Sequence, residues 1–311
     1  MKENLSLRFL YRTVPGRVIL KILTLPPISR AVGRLLDSRI SVCLIPYFIR
    51  KYHISTRRVV VPEGGFRSFN QFFCRREVRK RNAREESLRK GKRVSPVQEG
   101  SGRSGNGSGG YALGGNGPDG RCLQGSLPRW DGDGLLSPCD GYLSRIPIRK
   151  NEIFDIKHTK FTLEELLQNP RLAREFQDGC ACIFRLTPAD YHRYCFAVDG
   201  KVLFQKKIPG RLHCVRPIAT GTVPVYAQNA REYQVIETQL FGRVVQMEVG
   251  ALMIGRITNL PLGESGEVKA GEEKGYFEFG GSTIVVLLKK GILEGSNESE
   301  IPVRRGDIIL G

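Results

Sequence analysis

A chain of 311 residues with 40% hydrophobic side chains can hold one large core or two smaller ones. Its formal net charge of +18 is unevenly placed: residues 1–98 hold 23 Lys and Arg against 6 Asp and Glu, and the remainder is close to neutral. No run approaches the roughly 20 apolar residues that a bilayer-spanning helix needs, the scattered cysteines match no zinc spacing, and the basic N-terminal third points to an anionic partner, a membrane or a nucleic acid.

The N-terminus does not read as a secretory signal, because Arg8, Arg12, Arg17 and Lys21 interrupt its apolar residues. Residues 5–24 and 28–50 are expected as helices, with breaks at Pro15-Gly16 and Pro26-Pro27. In the second, Val32, Leu35, Leu36, Ile40 and Cys43 recur at helical spacing, with Arg30, Arg34 and Arg39 among them. Such a stripe suits a helix lying in a membrane interface, and it equally suits an amphipathic helix packed on the protein's own core. Ser68 is placed to cap a short helix whose apolar face is Phe69, Phe72 and Phe73. Residues 77–98 form a charge run and residues 100–134 hold 13 of the 36 glycines, so 77–134 reads as a charged, then Gly-rich, flexible insertion.

From Leu135 onward the pattern changes to short apolar runs separated by Gly, Pro and Asp. Ser137-Pro138-Cys139-Asp140-Gly141 is a turn before a strand over Tyr142–Ile148, and its Asp-Gly pair is in itself a structural turn signal. Lys157–Leu167 is expected as a helix in which Thr162 and Glu165 have capping-box spacing. A strand follows over Ala181–Leu186. Asp190-Tyr191-His192-Arg193-Tyr194 then gathers an acid, an imidazole and a guanidinium between aromatic rings, a setting that can tune a histidine, although a single histidine is more often structural. His213 stands at the end of another expected strand, and Asn229-Ala230-Arg231-Glu232 precedes a strand over Gln234–Thr238. Strands continue through Val244–Val249 and Gly250–Ile257, and the tail Ile301–Gly311 ends in a short Ile-rich strand. Tyr276–Leu288 reads as strand, tight Gly280-Gly281-Ser282-Thr283 turn and buried strand. Taken alone this is a hairpin, yet paired glycines beside a Ser hydroxyl also offer a peptide that the hydroxyl could attack. The expected class is α+β: a β-dominated domain over 135–311, sandwich-like or barrel-like, preceded by a basic, amphipathic helical region over 1–76.

Eight stretches occur together in one order: Tyr11-Arg12-Thr13-Val14-Pro15-Gly16-Arg17, Ser68-Phe69-Asn70-Gln71-Phe72-Phe73, Ser137-Pro138-Cys139-Asp140-Gly141, Asp190-Tyr191-His192-Arg193-Tyr194, His213-Cys214-Val215, Asn229-Ala230-Arg231-Glu232, Gly250-Ala251-Leu252-Met253-Ile254-Gly255-Arg256-Ile257 and Phe279-Gly280-Gly281-Ser282-Thr283. This series resembles the phosphatidylserine decarboxylase family of pyruvoyl-dependent carboxy-lyases, in its bacterial form, over nearly the whole chain apart from about residues 77–134. The resemblance makes 135–311 a catalytic domain and 1–76 a membrane-associating region, and it implies conversion of phosphatidylserine to phosphatidylethanolamine and carbon dioxide. The cofactor it implies is a covalent pyruvoyl group made autocatalytically from Ser282, with no metal. Ser282 Oγ would attack the Gly281 carbonyl to give an ester. β-Elimination and hydrolysis would then leave the pyruvoyl group and ammonia, with chains 1–281 and 282–311 staying packed together. The new ketone would condense with the lipid amine and accept the electrons that departing carbon dioxide leaves behind.

The resemblance also implies roles. Asp140 and His192 would activate Ser282, with Asp140 orienting the imidazole and His192 later donating the proton to the product; His213 is a supporting candidate. Some members carry a second His three positions after the Asp-Tyr-His-Arg histidine. Here that residue is Cys195, so His192 serves both steps or His213 helps. The implied partners are phosphatidylserine, an anionic membrane surface with the protein held peripherally on the cell membrane, and the two chains of one precursor; a homo-oligomer is left open. Two alternatives compete. A serine-nucleophile enzyme acting on lipid lacks support from any G-x-S-x-G elbow. A basic nucleic-acid-binding protein lacks the aromatic–basic pattern of such a surface, and no nucleic acid is expected as partner.

Overall fold

The computed structural model describes residues 5–78, 134–149, 154–156, 159–215, 219, 223–251, 256–279, 282–294 and 300–310. The insertion between 79 and 133, Leu252–Gly255 of the seventh stretch, and Gly280 and Gly281 lie outside the described residues.

Five helices open the chain: α1 (Leu5–Arg12), α2 (Val14–Leu23), α3 (Pro26–Asp37), α4 (Leu44–Tyr52) and α5 (Phe69–Phe73), with a 3₁₀ turn over Arg39–Cys43. The prolines start helices instead of breaking them. Thr13 caps α2 by accepting the Gly16 N–H at 3.1 Å, which leaves Pro15 in the first turn, where its missing N–H costs nothing. Pro26 and Pro27 open α3 in the same way. Residues 28–50 are not one helix, because the Ser38 and Ser41 hydroxyls donate to the Leu35 and Leu36 carbonyls at 2.6 and 2.8 Å and terminate α3. Ser68 caps α5 as expected, accepting from Gln71 N–H at 3.1 Å.

Strands follow in chain order: β1 (Val59–Val60), β2 (Arg76–Glu77), β3 (Leu135–Leu136), β4 (Gly141–Pro147), β5 (Phe154–Ile156), β6 (Thr159–Phe161), β7 (Cys180–Leu186), β8 (Arg193–Cys195), β9 (Gly200–Ile208), β10 (Arg231–Thr238), β11 (Gly242–Gly250), β12 (Ile257–Asn259), β13 (Glu267–Val268), β14 (Glu273–Phe277), β15 (Ser282–Leu288), β16 (Ile301–Val303) and β17 (Ile308–Leu310). A sheet of eight runs β13-β9-β10-β11-β15-β7-β4-β16, and a sheet of three runs β12-β14-β8. All seven residues of β15 are buried, so this strand reads as a continuous apolar run instead of alternating. On one face Val285 and Leu287 pack with Met247, Val249, Leu166 and Phe176. On the other, Ile284 and Val286 pack with Phe184 and with Tyr194 and Phe277 of the small sheet. The region from Leu135 onward is therefore a layered, β-dominated α+β fold.

Three local expectations change. The helix expected over Lys157–Leu167 begins only at Leu163: β6 occupies 159–161, and the Thr162–Glu165 capping box fixes the start. His213 is in a loop, not at a strand end. Asn229 takes its backbone, accepting from His213 N–H at 2.9 Å and donating to its carbonyl at 2.8 Å, which replaces a strand neighbour. Finally, β14 and β15 do not pair: β14 lies between β12 and β8, and β15 between β11 and β7. β14 and β15 therefore belong to different sheets and form no hairpin with each other.

The helices pack on this body at two places. Tyr11 and Leu20 of α1 and α2 join Val215, Val225 and Ala251. Phe48 of α4 and Phe69, Phe72 and Phe73 of α5 join Tyr276 and Phe279. Their outer side stays uncovered, with Val14, Val18, Leu35, Ile40 and Tyr47 exposed beside Arg17, Lys21, Arg34 and Arg39. Among the described residues no helix is long and apolar enough to cross a membrane.

Candidate active site

Ser282 opens β15 opposite Gly250 on β11 and Leu186 on β7. It is fully buried, and its Oγ has no hydrogen-bond partner among the described residues. A buried hydroxyl without a partner is unusual, because folded proteins pair nearly all such groups.

His192 precedes β8 and is also fully buried. Its Nδ1 lies 2.8 Å from the Asp190 carbonyl. A carbonyl only accepts, so Nδ1 carries the hydrogen and Nε2 the lone pair. Nε2 too has no partner among the described residues. Burial pushes the imidazole pKa down to about 3; the Asp190 carbonyl opposes that shift and the Arg75 charge adds to it. The ring is neutral with its basic nitrogen open. Phe277 N–H donates to the His192 carbonyl at 3.0 Å, and the Phe73 ring lies 4.0 Å from the imidazole, centroid to centroid. The imidazole thus stands beside the chain that leads into Ser282.

His213 supplies a third buried orphan, Nδ1, and burial followed by the Arg211 charge lowers its pKa to about 4. The sequence offers no local clue to what holds it. That residue is Asn229, fully buried, which binds both backbone groups of His213 and also donates to the Gly250 carbonyl at 2.7 Å. Gly250 is the residue opposite Ser282, so one amide ties the His213 loop to the serine's neighbour. In the same motif Arg231 is structural: its guanidinium donates to the carbonyls of Leu166, Asn229 and Glu165 at 2.7–2.8 Å.

Asp140 accepts the Arg305 N–H at 2.8 Å. Its loop is bonded to Cys195, whose N–H donates to the Pro138 carbonyl at 2.9 Å and whose thiol lies 3.4 Å from the same oxygen. The turn that carries Asp140 is therefore tied to position 195 through Pro138, and the bond that orients His192 comes from the Asp190 carbonyl. The thiol of Cys195 is buried and directed at backbone oxygens.

A second polar group was not legible in the sequence. Lys274 of β14 and Glu248 of β11 form an ion pair at 2.6 Å with side chains 1% and 0% exposed. Asn259 accepts from Lys274 Nζ at 2.8 Å, and Gln246 donates to Glu248 at 3.3 Å. Gln246 also binds across the layers, donating to the Cys195 carbonyl at 3.0 Å and accepting the Ala197 N–H at 2.9 Å. This network pins the sheet that follows His192 to the sheet that holds Ser282. A cleft of about 320 Å³, lined by Asp199, Lys201, Thr238 and Phe241, lies at the opposite end of β10 and β11. No three His, Cys, Asp or Glu side chains gather as a metal site among the described residues.

Comparison with known proteins places the chain among relatives. The family model described as phosphatidylserine decarboxylase matches residues 127–311. The chain is similar to phosphatidylserine decarboxylase proenzyme 2 of Clostridium acetobutylicum, 34% identical over 293 residues that cover 94% of this chain and 84% of the relative. It is similar to the phosphatidylserine decarboxylase proenzyme of Ruminiclostridium cellulolyticum, 34% identical over 305 residues, 96% of this chain and 86% of the relative. The corresponding proenzyme of Chlamydia muridarum is 32% identical over 289 residues, 92% of this chain and 81% of the relative. On these matches the chain belongs to the phosphatidylserine decarboxylase family.

Proposed function

We propose that this chain is a self-processing lyase that removes carbon dioxide from phosphatidylserine to give phosphatidylethanolamine, using a pyruvoyl group derived from Ser282. The observation that carries the reading is the pair of buried, unpartnered groups: a Ser282 hydroxyl and a neutral His192 whose Nε2 is an open base. His192 Nε2 takes the hydroxyl proton as Oγ attacks the carbonyl of Gly281. The C–N bond breaks, the amine takes a proton, and an ester joins the two parts. Loss of the Ser282 α-proton then expels the Gly281 carboxylate. The Asp190 carbonyl orients the imidazole, and Asp140 is the acid that the family resemblance assigns to this step.

The residues present fit the group. Ser282 is the first residue of a strand held on both sides, so a new N-terminal group there stays fixed. When formed, that group supplies an electron sink for the departing carboxylate. His192 then moves the proton the other way, to the carbon that lost carbon dioxide. We assign the uncovered apolar and basic side of α1–α4 to an anionic bilayer, which would bring lipid to the protein without a spanning helix.

Intact-mass measurement of purified protein tests the reading. Two chains, 1–281 and 282–311, with ammonia lost from the smaller, are expected. Ser282→Ala should give one chain and no lyase activity. Full activity in an uncleaved wild-type chain would overturn the reading.

A further inference from the structure

The residues just before Ser282 are held by a part of the protein that the chemistry above does not use. The Phe279 ring sits among Phe48, Phe69 and Phe73 at centroid distances of 5.7, 5.0 and 5.2 Å, each edge to face. All three belong to α4 and α5. The backbone is held as well. Asn70 accepts from Phe279 N–H at 3.4 Å, Glu278 N–H donates to the Arg256 carbonyl at 3.1 Å, and the Cys74 thiol donates to the Phe277 carbonyl at 3.3 Å. Three successive residues are thus gripped by three partners. Ser282 is gripped again, between β11 and β7. Phe279 and Ser282 are separated by at most about 10 Å of chain. The peptide attacked by Ser282 is therefore a short tether between two fixed ends. Fixed ends convert a search by the hydroxyl into a defined approach, and a misplacement of about 1 Å can cost 10²-fold in rate. The same cage reaches the base, since Phe73 touches both Phe279 and the His192 ring.

We propose that Phe279 is the positioning residue of self-cleavage, and that the aromatic cage from α4 and α5 sets both the tether and the imidazole. This rests on the self-processing reading above. Edge-to-face rings fix a side chain in angle as well as depth, which apolar burial alone does not do. The N-terminal helices are then part of the processing machinery and not only an attachment to lipid.

The test is a time course of cleavage in freshly made full-length proenzyme, read by intact mass at a temperature well below unfolding, with melting followed in parallel. Phe279→Ala should slow cleavage about 10- to 100-fold. The chain should stay folded, the pH dependence of cleavage should be unchanged, and Phe279→Leu, which restores apolar bulk without the ring, should recover only a small part of the rate. Phe69→Ala, which removes one wall of the cage, should slow cleavage in the same direction. Hydroxylamine, which cuts an accumulated ester, should not speed the Phe279→Ala chain, because the slowed step precedes the ester. Cleavage at the wild-type rate in Phe279→Ala, or slowing only in proportion to unfolded protein, overturns the inference alone. A wild-type chain that never cleaves overturns the lyase reading and this inference with it.

Discussion

Lys274→Met removes one charge of a fully buried pair and keeps most of the side-chain volume. Nζ sits 2.6 Å from Glu248 and 2.8 Å from Asn259, and over the rings of Tyr194 and Phe196 at 5.7 and 5.8 Å. Burial raises the Glu248 pKa and lowers that of Lys274, so for each group loss of water outweighs the attraction of its partner. Such a pair adds little stability as a unit, whereas breaking it strands a charge in the core at a cost of about 3–5 kcal/mol. For a chain of this length the melting temperature should fall on the order of 6–10 °C. Thermal unfolding followed by circular dichroism reads this directly. The double change Glu248→Gln with Lys274→Met should recover most of the loss, because Gln still reaches Gln246 and Asn259 without a charge. Self-cleavage should slow in the single variant, since the pair joins the sheet behind His192 to the strand beside Ser282. A Lys274→Met chain that melts within 1 °C of wild type would refute the reasoning, as would a double variant no better than the single one.

Acid should destabilise the protein through His192. Its native pKa of about 3 lies below the unfolded value of 6.5, so between those limits the unfolded chain binds a proton that the native chain refuses. Stability should fall by roughly 1.4 kcal/mol per pH unit from this group, about 3 kcal/mol from pH 6.5 to 4.5, partly offset by Glu248 and Asp190, whose raised pKa values favour the native state as they protonate. Denaturant melts across this range should show a shallower slope in His192→Gln, and an identical slope would contradict the shift. On the outer side of the helices, replacing Arg17, Lys21, Arg34 and Arg39 by Gln should weaken binding to phosphatidylserine vesicles by on the order of 1 kcal/mol per charge near the surface. Co-sedimentation unchanged by the fourfold replacement would remove the bilayer assignment.

Local signals in the chain were legible where one short stretch carries its own partner. Ser68 with Gln71 and Thr162 with Glu165 are caps that close within a turn. The apolar run of β15 announces a strand buried on both faces. Signals fail where the partner is distant. Lys274 lies in a polar, Gly-rich stretch that reads as a solvated loop, and its partner Glu248 is 26 residues away. Asn229 is a small polar residue before a strand, and only the fold shows that it holds both His213 and Gly250. The stretch at Ser282 looks like a hairpin because strand, glycines and strand follow in order. Pairing is decided by Phe277, which bonds back to His192, and by Ser282, which joins β11 and β7.

Position 195 sharpens the question of which group takes the serine's proton. A cysteine there could serve as a base only as a thiolate, and a thiolate needs a cation or open donors to hold its charge. The Cys195 sulfur instead faces the Ser137 and Pro138 carbonyls, which accept hydrogen bonds and repel negative charge. The thiol is thus placed as a donor to backbone oxygens, and the imidazoles are the candidate bases. His192 has the better claim, since its tautomer is fixed by Asp190 and its open nitrogen stands beside the chain that enters Ser282. Burial that lowers its pKa to about 3 keeps the ring neutral with an open nitrogen, and it also weakens that nitrogen as a base. The later donor step needs the opposite, a ring that keeps a proton until carbon demands it. The main cause of the low value is burial, so what would raise it is water or an anionic headgroup reaching the ring once the chain between Phe279 and Ser282 has been cut. On the proposed reading, one imidazole would serve both steps only with such a change of solvent around it.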